Sequence, residues 1–282
     1  MNKNIMSFIG FDSEFEESQI VLFGAPYDGT VSFRPGTRFA PEVIRKDSYG
    51  LETYSPYHDD DLEEYSLFDS GDIEFPFGNR DKTLSMIEER TREIVSTGKI
   101  PFMVGGEHLV TYPAVKAVTE KYEDLVVIHF DAHADLREDY LGEKLSHATV
   151  IRRVWDMIGD KNIYQFGIRS GTREEFKWAE EHVYMRKFDL KGIEEAIEMI
   201  GDRPVYVTID LDVLDPSIFA GTGTPEPGGV SYKELQEAII KLKKLNIVGS
   251  DVVELSPQYD VSGVSTAVAC KVIRELVLSI LG

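Results

Sequence analysis

A chain of 282 residues and 31.8 kDa suits one large α/β domain or two small ones, and 42% hydrophobic residues can fill a sizeable core. With 50 acidic residues against 30 basic ones the net charge is −20, which argues against a nucleic-acid partner and fits a well-solvated surface whose field enriches small cations. A single cysteine, Cys270, excludes an intrachain disulfide, no apolar run approaches the ~18–20 residues of a membrane span, and the N-terminus shows no secretory pattern, so a soluble, cytoplasmic protein is expected.

The first strand is expected at Ile20–Phe23, running into Gly24-Ala-Pro-Tyr-Asp-Gly29. A loop from Thr30 to Pro41 holds Arg34, Pro35, Gly36 and Arg38, and Pro41 opens a helix to about Ser48. His58 to Asp61 reads as an exposed acidic turn, with His58 at the surface, and Ser66–Ile73 as a short strand. Asp81–Ser96 is an amphipathic helix with Leu84, Ile87, Ile94 and Val95 inside and Gly98 past its end. The strand Ile100–Val104 ends in Gly105-Gly-Glu-His108, and a helix over Tyr112–Tyr122 follows. Leu125–Phe130 is an apolar, β-branched strand that runs into Asp131-Ala-His-Ala-Asp135.

Beyond it come a helix from Ser146 to about Ile158, a strand at Asn162–Ile168 and a helix at Thr172–Glu181. A strand at Tyr184–Phe188 and a helix at Gly192–Ile200 are next. Val205–Ile209 is a strand ending in Asp210-Leu-Asp212, and a long loop leads from Val213 to Val230. The helix Ser231–Leu245, the strand Ile247–Leu255 and the helix Gly263–Leu281 complete the chain. Strands and helices alternate with short connections and neither repeat nor linker, which predicts βαβ units, a mostly parallel sheet and a single domain over residues 1–282.

The polar residues obey a positional rule. His108, Asp131, His133, Asp135, Asp210, Asp212 and Glu254 all fall at or just beyond the C-terminal ends of apolar strands, the edge at which open α/β sheets bind ligands. Asp131, His133 and Asp135 stand at i, i+2 and i+4, so in an extended chain they face the same way. A lone Asp after a strand is usually a helix cap, and a lone strand histidine such as His129 is usually structural, here with parity that also permits support of Asp131. Together, however, four carboxylates and two imidazoles at one buried edge would be costly without a positive charge between them. Two divalent cations would cancel the four carboxylates. Carboxylate and imidazole without thiolate suit Mn2+ best, with Fe2+, Co2+, Ni2+ or Zn2+ possible.

These motifs resemble the ureohydrolase family of arginases and agmatinases over nearly the whole chain, and agmatinases in particular. The likeness lies in Gly24-Ala-Pro-Tyr-Asp28, Pro35-Gly36 with Arg38, Pro41-Glu-Val-Ile-Arg45, Gly105-Gly-Glu-His108, Asp131-Ala-His-Ala-Asp135 and Ser146-His-Ala-Thr149. It continues in Asp210-Leu-Asp-Val-Leu-Asp-Pro216, the loop Gly221–Gly229 and Val253-Glu-Leu-Ser-Pro257. The resemblance implies a three-layer α/β/α, arginase-like fold and two Mn2+ ions: His108 and Asp135 on one, His133 and Asp212 on the other, Asp131 and Asp210 bridging. It implies that Glu254 pairs with the substrate's guanidinium, that Asp135 carries a proton and that His147 is the proton shuttle. It also implies a homo-oligomer, trimeric or hexameric.

Substrate choice is expected in Leu136–Leu145. Family members that act on arginine carry Asn, Ser and Thr there, whereas this chain has Glu138, Asp139 and Tyr140, which suit the amine-terminated tail of agmatine. Arg137 is expected to pair with Glu138 or Asp139; a substrate carboxylate is its other possible partner and would favour guanidinobutyrate or another guanidino acid. Ala148 and Leu109 depart from the glycine and serine frequent at those positions. The loop Gly221–Gly229 lacks basic residues and a following Lys-Ser/Thr, which excludes a phosphate cradle and leaves a pocket wall. The predicted reaction is cleavage of agmatine to putrescine and urea. Arginine, guanidinobutyrate or formiminoglutamate hydrolysis, a metal-dependent deacetylase and a non-catalytic metal-binding homologue are the alternatives.

Overall fold

The computed structural model describes residues 1–282. In chain order the strands are β1 (Ile20–Ala25), β2 (Tyr54–Ser55), β3 (Asp60–Asp61), β4 (Leu67–Asp72), β5 (Ile100–Gly105), β6 (Val126–Phe130), β7 (Ile163–Ile168), β8 (Tyr184–Lys187), β9 (Pro204–Asp210) and β10 (Asn246–Val253). The helices are α1 (Ala40–Ser48), α2 (Arg80–Ser96), α3 (Thr111–Thr119), α4 (Val150–Ile158), α5 (Arg173–His182), α6 (Ile193–Ile200), α7 (Tyr232–Lys241) and α8 (Val264–Leu281). All strands but the β2–β3 hairpin form one parallel sheet in the order β4-β1-β5-β10-β9-β6-β7-β8.

Alternation along each strand feeds two cores. In β1, Ile20 and Leu22 enter one and Val21, Phe23 and Ala25 the other, as a sheet covered on both faces requires. Apolar residues of α1, α6, α7 and α8 line the first core and those of α2, α3, α4 and α5 the second, which makes the arrangement three-layered, as expected. Capping boxes open two of the helices: Thr172 with Glu175 at α5, and Ser231 with Glu234 at α7. No helix is long and apolar enough to cross a membrane.

Three local expectations need correction. The His58 side chain is only 4% exposed, with Nε2 3.4 Å from a carboxylate oxygen of the fully buried Glu275, because β2 and β3 pair and lay this segment against α8. The last predicted turn of α7 is a separate 3-10 turn, Leu242–Lys244. The extended run predicted through Asp135 stops early: β6 ends at Phe130, and Asp135 has φ 53°.

The strand order places β10 and β9 between β5 and β6, so the chain leaves the middle of the sheet after β5 and returns to it with β9 and β10. Such a switch point opens a crevice at the carboxyl ends of the central strands. All the polar strand-end residues singled out above follow these four strands.

Candidate active site

Each central strand delivers its side chains by a different local device. After β5 the chain passes hard against the exit of β1: a Cβ on Gly106 would stand 1.9 Å from the Tyr27 carbonyl oxygen, so glycine is required to bring Glu107 and His108 round. His108 then opens a 3-10 turn that leads into α3. After β6, His133 makes a β-bridge with Ser170, and the left-handed turn at Asp135 bends that side chain back toward His108. Asp210 closes β9, and its Oδ1 accepts the N–H of Asp212 at 2.9 Å. Glu254 follows β10 with φ 67°. Non-glycine residues in this region cost on the order of 1–3 kcal/mol and persist where the surroundings over-determine them. Both such positions in the cleft belong to the sequence-derived set.

The side chains converge. His108 Nδ1 lies 3.1 Å from Asp131 Oδ2, 3.2 Å from Asp135 Oδ2 and 3.4 Å from Asp210 Oδ2. His133 Nδ1 lies 2.9 Å from Asp212 Oδ2 and 3.5 Å from Asp131 Oδ1. Asp131 is thus common to two clusters, one containing His108 and Asp135 and the other His133 and Asp212. His129 falls within the first by distance, but both its ring nitrogens are engaged, Nε2 with Asp131 Oδ2 at 2.8 Å and Nδ1 with Gln165 Nε2 at 3.0 Å.

A metal fits this donor set. His108 Nδ1 is buried and makes no hydrogen bond, although three carboxylate oxygens surround it. Ligand atoms about 2.1 Å from one cation stand about 3.0–3.4 Å apart, the separations seen here. The other nitrogen of the ring is held from outside: Nε2 lies 3.0 Å from Thr208 Oγ1, which donates to the buried Asp251 at 2.6 Å, as orienting partners of ligating histidines do.

The electrostatics point the same way. Burial raises Asp210 well above the usual carboxylate range, helped by the charges of Asp212 and Asp131. Burial, with the charge of Asp131, raises Asp135 to about 7. Burial opposes protonation of His108, yet Asp131, Asp135 and Asp210 outweigh it and raise the imidazole well above its ordinary value. The cluster draws in protons where a dication would neutralise it better.

A cleft of about 210 Å³ opens over the cluster, lined also by Ser32, Arg137, Tyr140, His147, Glu175 and Glu254. Glu254 Oε1 accepts the His108 backbone N–H at 2.7 Å, and burial together with the charge of Glu107 raises this carboxyl well above its ordinary value. His147 sits across the cleft. Its backbone N–H donates to Thr30 Oγ1 at 3.1 Å, the Thr30 hydroxyl donates to the buried Glu107 at 2.5 Å, and its Nε2 is 3.3 Å from Ser32 Oγ. Burial pushes its imidazole down to about 4, and its ring stands edge-on to Tyr140 with centroids 5.7 Å apart.

The structure therefore gathers His108, Asp131, His133, Asp135, Asp210, Asp212, Tyr140, His147 and Glu254 at one edge. Glu138 and Asp139 do not join them; both are exposed and line a separate groove of about 420 Å³ with Arg152 and Trp178. Arg137 pairs with neither of them: its Nε is 3.6 Å from Glu175 and its guanidinium lies over the Tyr140 ring at 4.7 Å. Glu175 is the better partner because the Leu136 and Thr172 N–H groups, at 3.0 and 2.7 Å, fix its carboxylate. Sequence reasoning passed over Thr30, Ser32, Gln165, Glu175, Thr208 and Asp251. The legible signal for Gln165, Thr208 and Asp251 is a polar residue inside an otherwise apolar strand.

The Arginase family profile matches residues 18–279. The agmatinase of Bacillus anthracis is 52% identical over 275 residues, 96% of this chain and 95% of that protein. A solved Clostridium difficile protein is 57% identical and superposes with a TM-score of 0.93 over 95% of this chain and 98% of its own. The agmatine ureohydrolase of Thermoplasma volcanium is 34% identical, with a TM-score of 0.90 over 99% of this chain and 95% of its own. The chain therefore belongs to the arginase family, and it is an enzyme of the ureohydrolase type.

Proposed function

We propose that this enzyme hydrolyses agmatine to putrescine and urea, with two Mn2+ ions held between the strand ends. The observation that carries the reading is Asp131, shared by two His/Asp clusters at the floor of the cleft that Glu254 and His147 line. His108 and Asp135 would hold one ion, His133 and Asp212 the other, with Asp131 and Asp210 between them. Four carboxylates balance two dications, and the absence of thiolate favours manganese. The agmatinase of Bacillus anthracis, 52% identical, supports the choice of substrate.

Metal ions bound here would supply the Lewis acidity that makes water a nucleophile near neutral pH. The protein's own groups do the rest. Glu254 spends Oε1 on the His108 N–H and keeps Oε2 for the guanidinium, fixing the electrophilic carbon over the cluster. Asp135 takes a proton from the attacking water and gives it to the departing nitrogen. His147, kept neutral by burial, accepts and releases protons between the cleft and solvent. The polar links from Glu107 through Thr30 hold its backbone in place.

Tyr140 would flank the substrate's aliphatic chain. Arg137 lines the cleft, but Glu175 and the Tyr140 ring engage its charge, so a cationic tail is tolerated. Glu138 and Asp139 would act through their field and not by contact. Residues 1–282 are read as one domain of a cytoplasmic homo-oligomer, trimeric or hexameric, supplying putrescine for polyamine synthesis.

The test is urea release by the Mn2+-loaded enzyme from agmatine, arginine, guanidinobutyrate, guanidinopropionate and formiminoglutamate. Agmatine should give the highest kcat/KM. The place of Arg137 in the cleft favours one second reading, a guanidino acid; a clear preference for guanidinobutyrate would select it.

A further inference from the structure

Four polar residues form a rung across the middle of the sheet. Gln165 of β7, His129 of β6, Thr208 of β9 and Asp251 of β10 are register partners, one strand to the next, and all are fully buried. Thr208 and Asp251 serve His108, as described above. Gln165 and His129 have no part in the chemistry so far, yet buried polar groups in an apolar sheet are costly and call for a reason.

Their hydrogen bonds can be assigned by elimination. Gln165 Nε2 lies 2.8 Å from the Ala134 carbonyl oxygen and 3.0 Å from His129 Nδ1. A carbonyl only accepts, so the group facing Ala134 must be the amide NH2, and its second proton goes to His129. His129 Nδ1 is then the acceptor, and the ring's proton sits on Nε2. From there it is donated to Asp131 Oδ2, 2.8 Å away. The opposite amide orientation would press two oxygens together at Ala134. The adopted one leaves Gln165 Oε1 buried without a partner, a cost the fold bears for what the NH2 does.

On Asp131 the outcome is symmetrical. Oδ2 receives the His129 proton and Oδ1 receives the His133 backbone N–H at 2.5 Å. Each oxygen thereby uses one lone pair on the protein and keeps another for a ligand, Oδ2 on the His108 side and Oδ1 on the His133 side. We propose that Gln165 and His129 form a positioning relay that sets Asp131 as the carboxylate shared by both metal ions. The inference rests on the reading of the clusters as a dinuclear metal centre. His129 is here a positioning residue and not a ligand.

The experiment is Mn2+ titration of the metal-free full chain by calorimetry, with stoichiometry at saturation and the melting temperature of each metal-free variant. A glutamine amide reaches about as far as Nε2 of histidine and also donates, whereas asparagine carries the same group one methylene short. His129→Gln should hold both binding steps within about threefold, and His129→Asn should weaken both about 10–100-fold, the usual loss for partners of ligating groups. Gln165→Met, which keeps the volume and drops the amide, should give a smaller loss in the same two steps. Stoichiometry at saturating Mn2+ should stay at the wild-type value throughout.

Unchanged affinity in His129→Asn and Gln165→Met overturns the relay. Loss of one ion altogether in both His129 variants, with Gln165→Met unaffected, makes His129 a ligand and also overturns it. A wild-type protein that binds no Mn2+ fails the metal reading itself, and this is seen before any variant is compared.

Discussion

Glu254→Gln removes a charge and almost nothing else. The carboxylate is 6% exposed, and its Oε1 accepts the His108 N–H at 2.7 Å, a role an amide oxygen can keep. The residue lies outside both His/Asp clusters, so metal content should match the wild type. On the proposed role, what is lost is the ionic partner of the guanidinium in a desolvated cleft. Truncating one partner of a buried charge pair costs about 2–5 kcal/mol. At about 1.4 kcal/mol per tenfold, that is a fall of about 30- to 5,000-fold in kcat/KM. Steady-state urea release with metal analysis of the same preparation reads both quantities. A variant within threefold of wild type, at full metal content, would refute the assignment of Glu254 to the guanidinium.

Other outcomes follow from the same geometry. His147→Asn should lower turnover by about 10²–10⁴-fold, the usual range for a general acid–base group, and a loss under threefold would remove His147 from proton transfer. Burial lowers the His147 pKa from 6.5 to about 4, so between those values the unfolded chain binds more protons than the folded one and stability falls as pH falls. At 1.36 kcal/mol per unit the contribution approaches about 3 kcal/mol at pH 4; His147→Asn should lack it, and parallel urea-denaturation series at pH 7 and pH 4.5 would show the difference. Arg137→Ala should leave agmatine turnover within about threefold while lowering any guanidinobutyrate activity further, because the arginine charge is already shared with Glu175 and the Tyr140 ring. The kcat/KM ratio of the two substrates checks it.

The fold was largely legible because its strands are short buried runs separated by amphipathic helices, and Thr172 and Ser231 announce helix starts that the structure realises. The candidate site was legible for a related reason: chemistry-bearing residues stand where apolar strands end, and a parallel sheet sends all those ends to one edge. Finer geometry was not. Period-two reasoning brought Asp131, His133 and Asp135 together, but Asp135 arrives through a left-handed residue that no strand pattern encodes. Arg137 was matched to its sequence neighbours, whereas the carboxylate fixed in space nearby belongs to Glu175, at the start of α5. His58 looked superficial because its neighbours are acidic; its partner, Glu275, comes from the other end of the chain. The cross-sheet rung escaped for the same reason, since strand register joins residues remote in sequence and leaves only isolated polar letters in apolar runs.

If the paired His/Asp clusters hold two metal ions, guanidino cleavage depends on both. The most direct measurement is titration of metal-free enzyme with Mn2+ while urea release from agmatine and bound metal are followed together. Two ions per chain at saturation, turnover that tracks their occupancy, and no urea from the metal-free form are expected. Full turnover without metal, or two ions bound with no urea from any guanidino compound, would contradict this reading.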